Sequence, residues 1–450
     1  MNEQYSLDFN RRDFLRSGSL ATLMTMLGGV ELIAQTTNAP GGADKPKGPR
    51  VKVAVIGVGP WGREILNTLA RLPQADVVAV CDTYAPMAKR GATAAPGSTA
   101  VADYKTILED KNITAVIIAT PTHLHKDIAV EALKAGKHVY CEAPLAHTLE
   151  DARAIAQAAK AAPGLVFQSG LQLRSDPQRH FMLPFIRSGA LGKFVMARAQ
   201  YHRKQSWRQT SSSPEREKAV NWRLDKEVSL GLAGEIGCHP IDQATWYFNG
   251  LPKAVTGFGG IILHQDGRTV PDTIQAVLEF GNGVNMIYDA TLANSFDSEY
   301  EMLYGSDAAV MMRESKAWMF KEVDSPLLGW EVYAKKETFH KETGITLMAG
   351  ASKSSPDTVK EPEPFTNTPL SFALGNFLRN ASDFSIATKD FVDSFGDDAD
   401  ALKEHLSKLA RQPAAGYAEG YRSAVIAIKT NEAIMGAKRV EIKPELYELT

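Results

Sequence analysis

A short glycine-rich segment around residue 57 gives the clearest indication of how this chain folds. Residues 51–62 read Val-Lys-Val-Ala-Val-Ile-Gly-Val-Gly-Pro-Trp-Gly, an apolar run followed by the pattern G-x-G-x-x-G. In such a segment Gly57 permits a tight turn, Gly59 lets the backbone approach a pyrophosphate, and Gly62 lets a helix pack closely on the strand. The N–H groups that begin the helix then bind the phosphates. The segment predicts a dinucleotide site, also lined by Val58, Pro60 and Trp61.

A carboxylate follows the second predicted strand. Val77–Cys81 is a second apolar run, and Asp82 and Thr83 come directly after it, 25 residues beyond Gly57. A carboxylate at this place accepts hydrogen bonds from the ribose hydroxyls of adenosine and repels a 2′-phosphate. We therefore expect NAD rather than NADP, with Asp82 and Thr83 at its adenosine end.

Length and charge limit the class of protein. A chain of 450 residues is too long for one ordinary core, so more than one domain is expected. Its 50 Lys and Arg residues nearly balance its 52 Asp and Glu residues, and the two signs are interspersed. Nucleic-acid binding needs a basic surface, so no nucleic-acid partner is expected.

The first forty residues resemble a twin-arginine export signal. Arg11-Arg12 precedes Phe14-Leu15 and a mildly apolar stretch over residues 20–27, which is shorter than the ~20 residues of a membrane helix. We expect a signal peptide at 1–40 and a linker at 41–50, recognition by the twin-arginine translocase, and a periplasmic or otherwise exported protein without stable membrane insertion. Such signals direct proteins that fold before export, often around a cofactor, which favours a cofactor that stays bound.

Strand and helix patterns predict an α/β fold with two domains. Over residues 51–172 apolar strands alternate with amphipathic helices, which indicates a Rossmann domain with a parallel sheet. Over residues 173–450 longer runs of alternating polarity indicate a C-terminal α+β domain with a large, mostly antiparallel sheet. Helices are predicted at 370–381, 386–394, 399–411 and 417–435, and the last of these is expected to pack back on the Rossmann domain.

Polar groups follow the predicted parallel strands at the end where a nicotinamide would lie. Thr120, Pro121, His123 and His125 follow the third strand, and Glu142 follows the fourth. Arg174, just past the fifth, is expected to reach the cofactor or the substrate. His123 and His125 form an H-x-H pair, but no third ligand lies nearby in the sequence, so no metal is expected.

With Gly57–Gly62 and Asp82, three further segments resemble the glucose-fructose oxidoreductase, inositol dehydrogenase and MocA family (Gfo/Idh/MocA). They are Thr120–His125, Glu142–Pro144 and Glu235–Asp242. The resemblance runs from about Val51 to the end of the chain. It implies a nicotinamide cofactor in a cleft between a Rossmann domain and an α/β domain, a sugar or cyclitol substrate, and a homodimer or homotetramer formed through the open face of the second sheet.

Two departures from the family pattern bear on the chemistry. The family's Glu-Lys-Pro is Glu142-Ala143-Pro144 here, so the lysine that commonly lies beside the nicotinamide is missing. The family's Asp-x-Gly element before its histidine begins with Glu235. Hydride transfer from a carbinol needs a base to take the hydroxyl proton, and His239 is the first choice because imidazole titrates near neutrality. Glu235 either orients His239 or is itself the base; the alternative for His239 is a buried structural histidine.

A polar stretch of the second domain is the predicted substrate site. Its candidate residues, together with His239, are Tyr201, His202, Arg203, Trp222 and Arg223. These side chains can bind a polyhydroxylated or anionic ligand. The equally weighted alternative is a polar surface loop without a ligand.

The sequence leaves three functions open. The leading one is an exported NAD(H)-dependent oxidoreductase acting on a sugar, glycoside or cyclitol, with tightly bound cofactor. The second is an NAD-dependent glycoside hydrolase, in which transient oxidation acidifies a neighbouring C–H, the aglycone leaves by elimination, water adds, and the hydride returns. The third is a non-catalytic sugar-binding protein that retains NAD, which the replacement of the lysine by Ala143 makes conceivable. The sugar and the carbon oxidised do not follow from the sequence.

Overall fold

The computed structural model describes residues 50–211, 213–314, 316–326, 336–339, 342–347 and 368–449. The predicted twin-arginine signal and all but the last residue of the predicted linker lie outside the described residues. Within the described ranges, no helix has both the length and the apolar character needed to cross a membrane.

The first domain contains a parallel sheet of six strands in the order β3-β2-β1-β4-β5-β6, which is the Rossmann order. The strands are β1 (Val51–Ile56), β2 (Ala75–Cys81), β3 (Thr99–Val101), β4 (Ala115–Ile118), β5 (His138–Cys141) and β6 (Phe167–Ser169). The strands β1, β4 and β5 are buried almost throughout, because helices cover both faces of the sheet. The exposed edge strand β3 was not predicted, since it has three residues and no buried one.

Five helices connect these strands. They are α1 (Pro60–Leu69), α2 (Ala85–Ala94), α3 (Tyr104–Glu109), α4 (His125–Lys134) and α5 (Leu149–Lys160). Side chains cap two of them: Asp103 accepts a hydrogen bond from the N–H of Lys105, and Thr148 accepts one from the N–H of Asp151. The helix α1, which follows the glycine turn, has no side-chain cap.

The second sheet has ten described strands in the order β14-β15-β13-β12-β11-β7-β10-β9-β8-β16. The strands are β7 (Phe194–His202), β8 (Ala254–Gly260), β9 (Thr273–Glu279), β10 (Asn285–Thr291), β11 (Glu299–Gly305), β12 (Ala308–Arg313), β13 (Lys316–Lys321), β14 (Lys336–Phe339), β15 (Glu342–Leu347) and β16 (Arg439–Glu441). The pair β7–β10 is parallel, and the other recorded pairs of this sheet are antiparallel. The predicted mostly antiparallel sheet is confirmed.

The remaining helices are α6 (Pro177–Arg187), α7 (Pro214–Val220), α8 (Gly231–Glu235), α9 (Cys238–Phe248), α10 (Pro369–Phe395), α11 (Ala399–Ser407) and α12 (Tyr417–Gly436). The prediction of two helices at 370–381 and 386–394 was wrong, because α10 is one helix of 27 residues. Its buried Phe377, Phe384 and Phe391 recur every seven residues, so one apolar face continues through the predicted break.

Two C-terminal helices pack on the Rossmann sheet. On one face, Phe377 of α10 contacts Tyr140 of β5 edge-on, with ring centroids 5.7 Å apart. On the other face, Tyr421 of α12 lies beneath the guanidinium of Arg153 from α5, which is 5.8 Å from the ring centroid. Helices from the C-terminal part of the chain thus contribute to the core of the first domain. The predicted domain boundary after residue 172 stays a prediction.

Candidate active site

The three glycines of the turn have different surroundings. Two of them lie against backbone atoms, and the third faces open space. Gly57 has φ of +91°, and a Cβ there would lie 2.6 Å from the carbonyl oxygen of Ala119. A Cβ on Gly62 would overlap the carbonyl oxygen of Gly57. A Cβ on Gly59 would have no heavy atom of a described residue within 4 Å. Gly57 and Gly62 are therefore required by packing, whereas Gly59 leaves room for a ligand against the backbone.

Unpaired polar groups surround that space, and they fit a dinucleotide. The N-cap residue of α1, Gly59, gives no side-chain hydrogen bond, so N–H groups of the first turn remain available for phosphate oxygens. The hydroxyl of Thr120, at the end of β4, is buried without a hydrogen-bond partner among the described residues. Val58 contributes less than predicted, because its side chain is buried and its N–H donates to Asp82 Oδ2 at 3.2 Å.

Asp82 lies where the sequence placed it, directly after β2. Its Oδ1 accepts a hydrogen bond from the N–H of Tyr84 at 2.9 Å, and the bond from Val58 holds Oδ2. These bonds fix the carboxylate at the end of the strand, and each oxygen keeps a lone pair for a ribose hydroxyl. Thr83 is exposed beside it. The arrangement fits the adenosine end of NAD.

The two histidines after β4 have different surroundings. His125 is buried, with Nε2 3.0 Å from the carbonyl oxygen of Thr120 and Nδ1 3.2 Å from that of Pro144. Burial lowers its pKa to about 4, although the carbonyl oxygens act in the opposite direction. We therefore correct the predicted role of His125: it ties the end of β4 to the loop after β5 and does not face a ligand.

His123 lies in an aromatic cluster instead. Its ring centroid is 6.2 Å from that of His147 and 6.1 Å from that of Trp222. Burial lowers the pKa of both imidazoles, and the Nδ1 atoms of both are buried without a hydrogen-bond partner among the described residues. Across the described ranges, no group of three or more His, Cys, Asp or Glu residues could hold a metal ion.

Glu142 joins the strand ends to the glycine turn. It is 7 % exposed, and its Oε1 accepts a hydrogen bond from the indole N–H of Trp61 at 2.8 Å. Burial raises the pKa of Glu142 to about 7, against the lowering effects of Trp61, the backbone of Ala143 and Arg223. A Cβ at Gly170 would overlap this carboxylate, so only glycine fits beside it. Glu142 is placed to exchange a proton near neutral pH.

Glu235 brings a second carboxyl from the other domain to the same region. Its oxygens accept hydrogen bonds from Thr122 Oγ1 at 3.1 and 3.3 Å, and Arg223 Nε lies 3.8 Å from Oε2. The side chain of Glu235 is 4 % exposed, and burial raises its pKa to about 7, against the lowering effects of Arg223 and Thr122. Thr122 belongs to the first domain, so this contact places Glu235 at the strand ends.

His239 is not oriented by Glu235, contrary to the sequence-based expectation. The recorded partners of Glu235 are Thr122 and Arg223, and no described residue hydrogen-bonds the His239 ring. His239 lies in the first turn of α9, and burial lowers its pKa to about 4. A helix N-terminus also disfavours a positive charge. The imidazole is therefore neutral near pH 7.

Arg223 is the cation that affects both carboxyls. It lowers the pKa of Glu142 as well as that of Glu235. Its guanidinium lies 5.3 Å from the ring centroid of Trp222 and 5.8 Å from that of Trp207. Ala143, at the position of the family's lysine, instead packs against the apolar cluster of Leu230, Cys238 and Ala427. The positive charge of the site thus comes from Arg223, between two indoles.

Arg174 is engaged elsewhere, which removes the support for its predicted contact with cofactor or substrate. Its Nε and Nη2 donate to Asp242 Oδ2 and Oδ1, both at 2.8 Å, and its guanidinium lies 4.8 Å from the ring centroid of Trp246. Asp242 is buried, and the side chain of Arg174 is 15 % exposed. Asp242 and Trp246 thus pack around Arg174.

Replacing Arg174 by alanine is expected to lower the free energy of unfolding by about 3 kcal/mol, because it leaves the Asp242 carboxylate buried without its partner. Nucleotide affinity is expected to stay at the wild-type value. Denaturant unfolding of Arg174→Ala and of the double variant with Asp242→Ala, beside NADH titration, checks both statements. A stable variant with weakened NADH binding would show that Arg174 contacts the cofactor.

The predicted substrate residues at the end of β7 do not act as one group. Tyr201 is buried and accepts a hydrogen bond from Gln205 Nε2 at 2.9 Å. His202 lies on the opposite face of the strand, with Nε2 2.6 Å from Asp289 Oδ2. Arg203 is exposed, and its guanidinium is 5.7 Å from the Tyr201 ring centroid. Alternation along the strand prevents Tyr201 and His202 from facing one ligand, so Trp222 and Arg223 are the better-placed candidates.

Three residues of this region were missed by the sequence reasoning. They are Thr122, His147 and Trp207. Thr122 lies inside the Thr-Pro-Thr-His segment, and His147 lies five residues after Glu142, so proximity to known motifs was a usable signal. Trp207 has φ of +65° in an irregular loop, a conformation that no local pattern indicated.

The sequence matches two family models. Residues 51–169 match a model described as an oxidoreductase family with an NAD-binding Rossmann fold. Residues 183–310 match the GFO/IDH/MocA C-terminal domain. Together the models span more than half of the chain and contain Gly59, Asp82, Glu142, Arg223 and Glu235.

Curated relatives are named for sugar and cyclitol chemistry. The chain is 36 % identical to levoglucosan dehydrogenase of Pseudarthrobacter phenanthrenivorans over 145 residues, which are 32 % of this chain and 35 % of that enzyme. It is 32 % identical to inositol 2-dehydrogenase of Salmonella typhimurium over 247 residues, 53 % of this chain and 66 % of that enzyme. It is 24 % identical to 2,7-anhydro-N-acetylneuraminate hydratase of Mediterraneibacter gnavus over 265 residues, 58 % and 66 % of the two chains. The chain thus spans about a third of the first relative and just under two thirds of the others.

A solved structure has the same fold over most of its length. Levoglucosan dehydrogenase in complex with NADH and levoglucosan matches 87 % of this chain and 99 % of its own, with a TM-score of 0.64 and 21 % identity. The match extends beyond residue 310, where the family models end. The C-terminal strands and helices are therefore part of the shared fold.

Proposed function

The chain belongs to the Gfo/Idh/MocA oxidoreductase family, and from this premise we propose that it oxidises a hydroxyl of a sugar, glycoside or cyclitol with tightly bound NAD. The observation that carries the proposal is the contact of Glu235 with Thr122. This contact brings a carboxyl of the second domain to the strand ends of the NAD-binding domain. Hydride and proton transfer both need groups at that place.

We assign proton transfer to Glu235. Bound NAD⁺ supplies the hydride acceptor, so the chain must supply a base for the hydroxyl proton. The pKa of Glu235, raised by burial to about 7, matches that task because half of the carboxyl is ionised at neutral pH and still basic. The pKa of His239 is too low for it to hold a proton there. His239 would accept a hydrogen bond from another hydroxyl of the sugar.

Arg223 takes over the electrostatic part of the missing lysine's role in this proposal. A guanidinium does not give up its proton at physiological pH, so Arg223 orients oxygen atoms and stabilises negative charge without relaying protons. Its neighbours Trp207 and Trp222 present flat apolar surfaces, which suit the C–H faces of a sugar ring. The substrate is thus expected between these indoles and the strand ends.

A glycoside hydrolase with transient oxidation remains the second candidate, and the pair of carboxyls supports it. Glu142 and Glu235 both have pKa values raised to about 7, so one can act as an acid while the other acts as a base. Elimination and hydration need both. One relative of this chain is named as a hydratase of an anhydro sugar, which supports the addition of water as a step.

One experiment tests the proposal and separates the candidates. Purified protein is denatured, the released nucleotide is identified, and native protein is then incubated with a panel of sugars, cyclitols and chromogenic glycosides. A dehydrogenase gives a reduced nucleotide and an oxidised sugar. A hydrolase releases the chromophore without net change of the nucleotide. Protein that neither contains nor binds NAD(H) would refute both, and binding without chemistry across the panel would favour a sugar-binding protein.

Export remains part of the proposal. The support is the Arg11-Arg12 pair with the apolar stretch that follows it. We expect the protein in the periplasm or outside the cell and a translocase as its transient partner. Fractionation of cells that express the full chain and an Arg11→Lys, Arg12→Lys variant tests it; equal distribution of both would contradict a twin-arginine signal.

We also propose that two or four copies associate through the face of the second sheet that carries His202. On this face Phe258 of β8 and Val277 of β9 are 55 % and 38 % exposed, although each of these strands is paired on both sides. The family resemblance implies a second copy as the occupant. Light scattering of the purified protein measures the assembly.

A further inference from the structure

A segment of the second domain reaches the adenosine end of the predicted nucleotide site. It comprises residues 205–211 and 213–221, between β7 and Trp222, and we call it the strap. Its helix α7 carries Arg216, whose guanidinium lies 3.3 Å from the ring centroid of Tyr84. Tyr84 is two residues beyond Asp82, and its N–H donates to that carboxylate. The strap thus touches the first domain beside the group that selects NAD.

The strap is anchored to the second domain at its first residues. Ser206 Oγ donates to Asp266 Oδ2 at 3.2 Å, and Arg208 Nη1 donates to the carbonyl oxygen of Asp266 at 2.8 Å. The buried Arg268 donates to the carbonyl oxygen of Ser206. The bond from Arg268 holds a backbone carbonyl of the strap, so it fixes the path of the chain at Ser206 and not only a side chain.

Further contacts hold the strap in shape. The side chain of Asn221 makes two hydrogen bonds with the backbone of Gln209, both at 2.8 Å. Its Nδ2 donates to the Gln209 carbonyl oxygen, and its Oδ1 accepts from the Gln209 N–H. An ion pair joins Arg208 to Glu217 of α7. The strap is therefore a preformed element rather than a loose loop.

Polar contacts hold α7 in the strap, but among the described residues it packs no buried side chain against the protein. The helix has seven residues and buries none of them. A helix this short is marginal without tertiary packing. The recorded contact of α7 with the first domain is that between Arg216 and Tyr84. The hydroxyl of Ser211, also on the strap, is buried without a hydrogen-bond partner among the described residues. The helix lies beside the predicted nucleotide edge, and the unsatisfied hydroxyl of Ser211 precedes it in the chain, an arrangement that suits a ligand.

We propose that the strap closes over the adenosine end of NAD and that Arg216 and Tyr84 form its closing contact. Asp82 fixes the ribose, and the adenosine then lies between the strap and the end of β2. Release of the dinucleotide requires Arg216 to leave the Tyr84 ring. Arg216 is a positioning residue here, because it retains the cofactor and takes no part in hydride transfer. The inference rests on the proposed NAD site and adds a residue from the other domain to it.

The test measures the rate at which NADH leaves the protein. Protein loaded with NADH is mixed with excess NAD⁺, and the loss of bound-nucleotide fluorescence is followed. Arg216→Ala and Tyr84→Ala are expected to release NADH about fivefold faster than the wild type, the size of a partly exposed cation–π contact. Tyr84→Phe keeps the ring and is expected to release NADH at the wild-type rate. Lys218→Ala removes the same charge from an exposed position of the same helix and is the matched control.

The outcomes distinguish a failure of the proposed closing contact from a failure of the proposed NAD site. If the wild type holds NADH and Arg216→Ala releases it at the same rate, the closing contact is refuted while the NAD site stands. Faster release from Lys218→Ala as well would also refute it, since the effect would then be one of net charge. Weakened NADPH binding with unchanged NADH release in Arg216→Ala would assign Arg216 to a 2′-phosphate and overturn the proposal. If the wild type binds no NADH, the proposed function fails first. Thermal unfolding of each variant without nucleotide is expected at the wild-type temperature, because α7 buries none of its residues.

Discussion

Replacing Glu235 by glutamine is expected to lower kcat/KM for the sugar substrate about a thousandfold, within the range for loss of a general base. Glutamine keeps the size of the side chain and can still bond Thr122 Oγ1, but it cannot take a proton. The affinity for NADH is expected to change little, because the recorded partners of Glu235 are Thr122 and Arg223 rather than the glycine turn.

The pH dependence gives this prediction a second readout. A base must be ionised, so the wild-type kcat/KM is expected to rise as the pH rises through about 7, the raised pKa of Glu235. The Glu235→Gln variant is expected to lose that rise. Glu142 has a similar pKa, so Glu142→Gln is measured beside it and is expected to keep the rise.

The control for this substitution is Glu227→Gln, which changes an exposed carboxyl shortly before α8. Glu227 is 76 % exposed and lies 3.9 Å from Lys226 in an exposed ion pair, so its loss should leave the kinetics unchanged. A Glu235→Gln variant whose kcat/KM is within threefold of the wild type, and still rises with pH, would contradict the assignment. It would favour His239 as the base.

Replacing Gly59 by aspartate is expected to weaken NADH binding at least about a hundredfold without loss of stability. In the part of the chain that the structure describes, nothing lies within 4 Å of a Cβ at this residue, so the side chain fits the free protein. Gly59 is the N-cap of α1, where aspartate is favoured over glycine by a few tenths of a kcal/mol. The same carboxylate would occupy the space of the pyrophosphate and repel it, at a cost of a few kcal/mol at short range.

The matched comparison is Gly62→Ala in the same turn. A Cβ there overlaps the carbonyl oxygen of Gly57, so this variant is expected to lose about 2 kcal/mol of stability together with nucleotide binding. Thermal unfolding and NADH titration of both variants separate the two kinds of glycine. An unchanged NADH affinity in Gly59→Asp would show that the dinucleotide does not cross the turn at Gly59.

The first domain could be predicted closely because each of its signals is local. The strand β1, the glycine turn and Asp82 lie within a short stretch of chain. Their role in nucleotide binding depends on backbone geometry, and nearby residues determine that geometry. The same holds for Gly57, whose left-handed conformation follows from the turn alone. The edge strand β3 escaped prediction because exposed strands lack an apolar pattern.

The candidate site could be predicted only in part, because its contacts join distant residues. The sequence marked Glu235 and Arg223, but the bond from Glu235 to Thr122 joins residues of different domains. His125 and Arg174 resembled ligands by their place at strand ends, and only the structure showed that Pro144 and Asp242 already engage them. Arg216 carried no signal, since an arginine on a short polar helix is ordinary. Distances across a cleft depend on domain packing, which local patterns do not encode.

The most direct measurement of the central claim is the reduction of bound nucleotide by substrate within one turnover. Purified protein that carries NAD⁺ is mixed rapidly with each sugar or cyclitol of the panel, and the near-ultraviolet absorbance of reduced nicotinamide is followed. The account predicts that at least one sugar reduces the bound nucleotide to an extent that matches its occupancy. It also predicts that Glu235→Gln, at the same occupancy, reacts about a thousandfold more slowly. Protein that holds NAD⁺ but shows no reduction with any sugar would contradict the claim that hydride transfer takes place in this cleft.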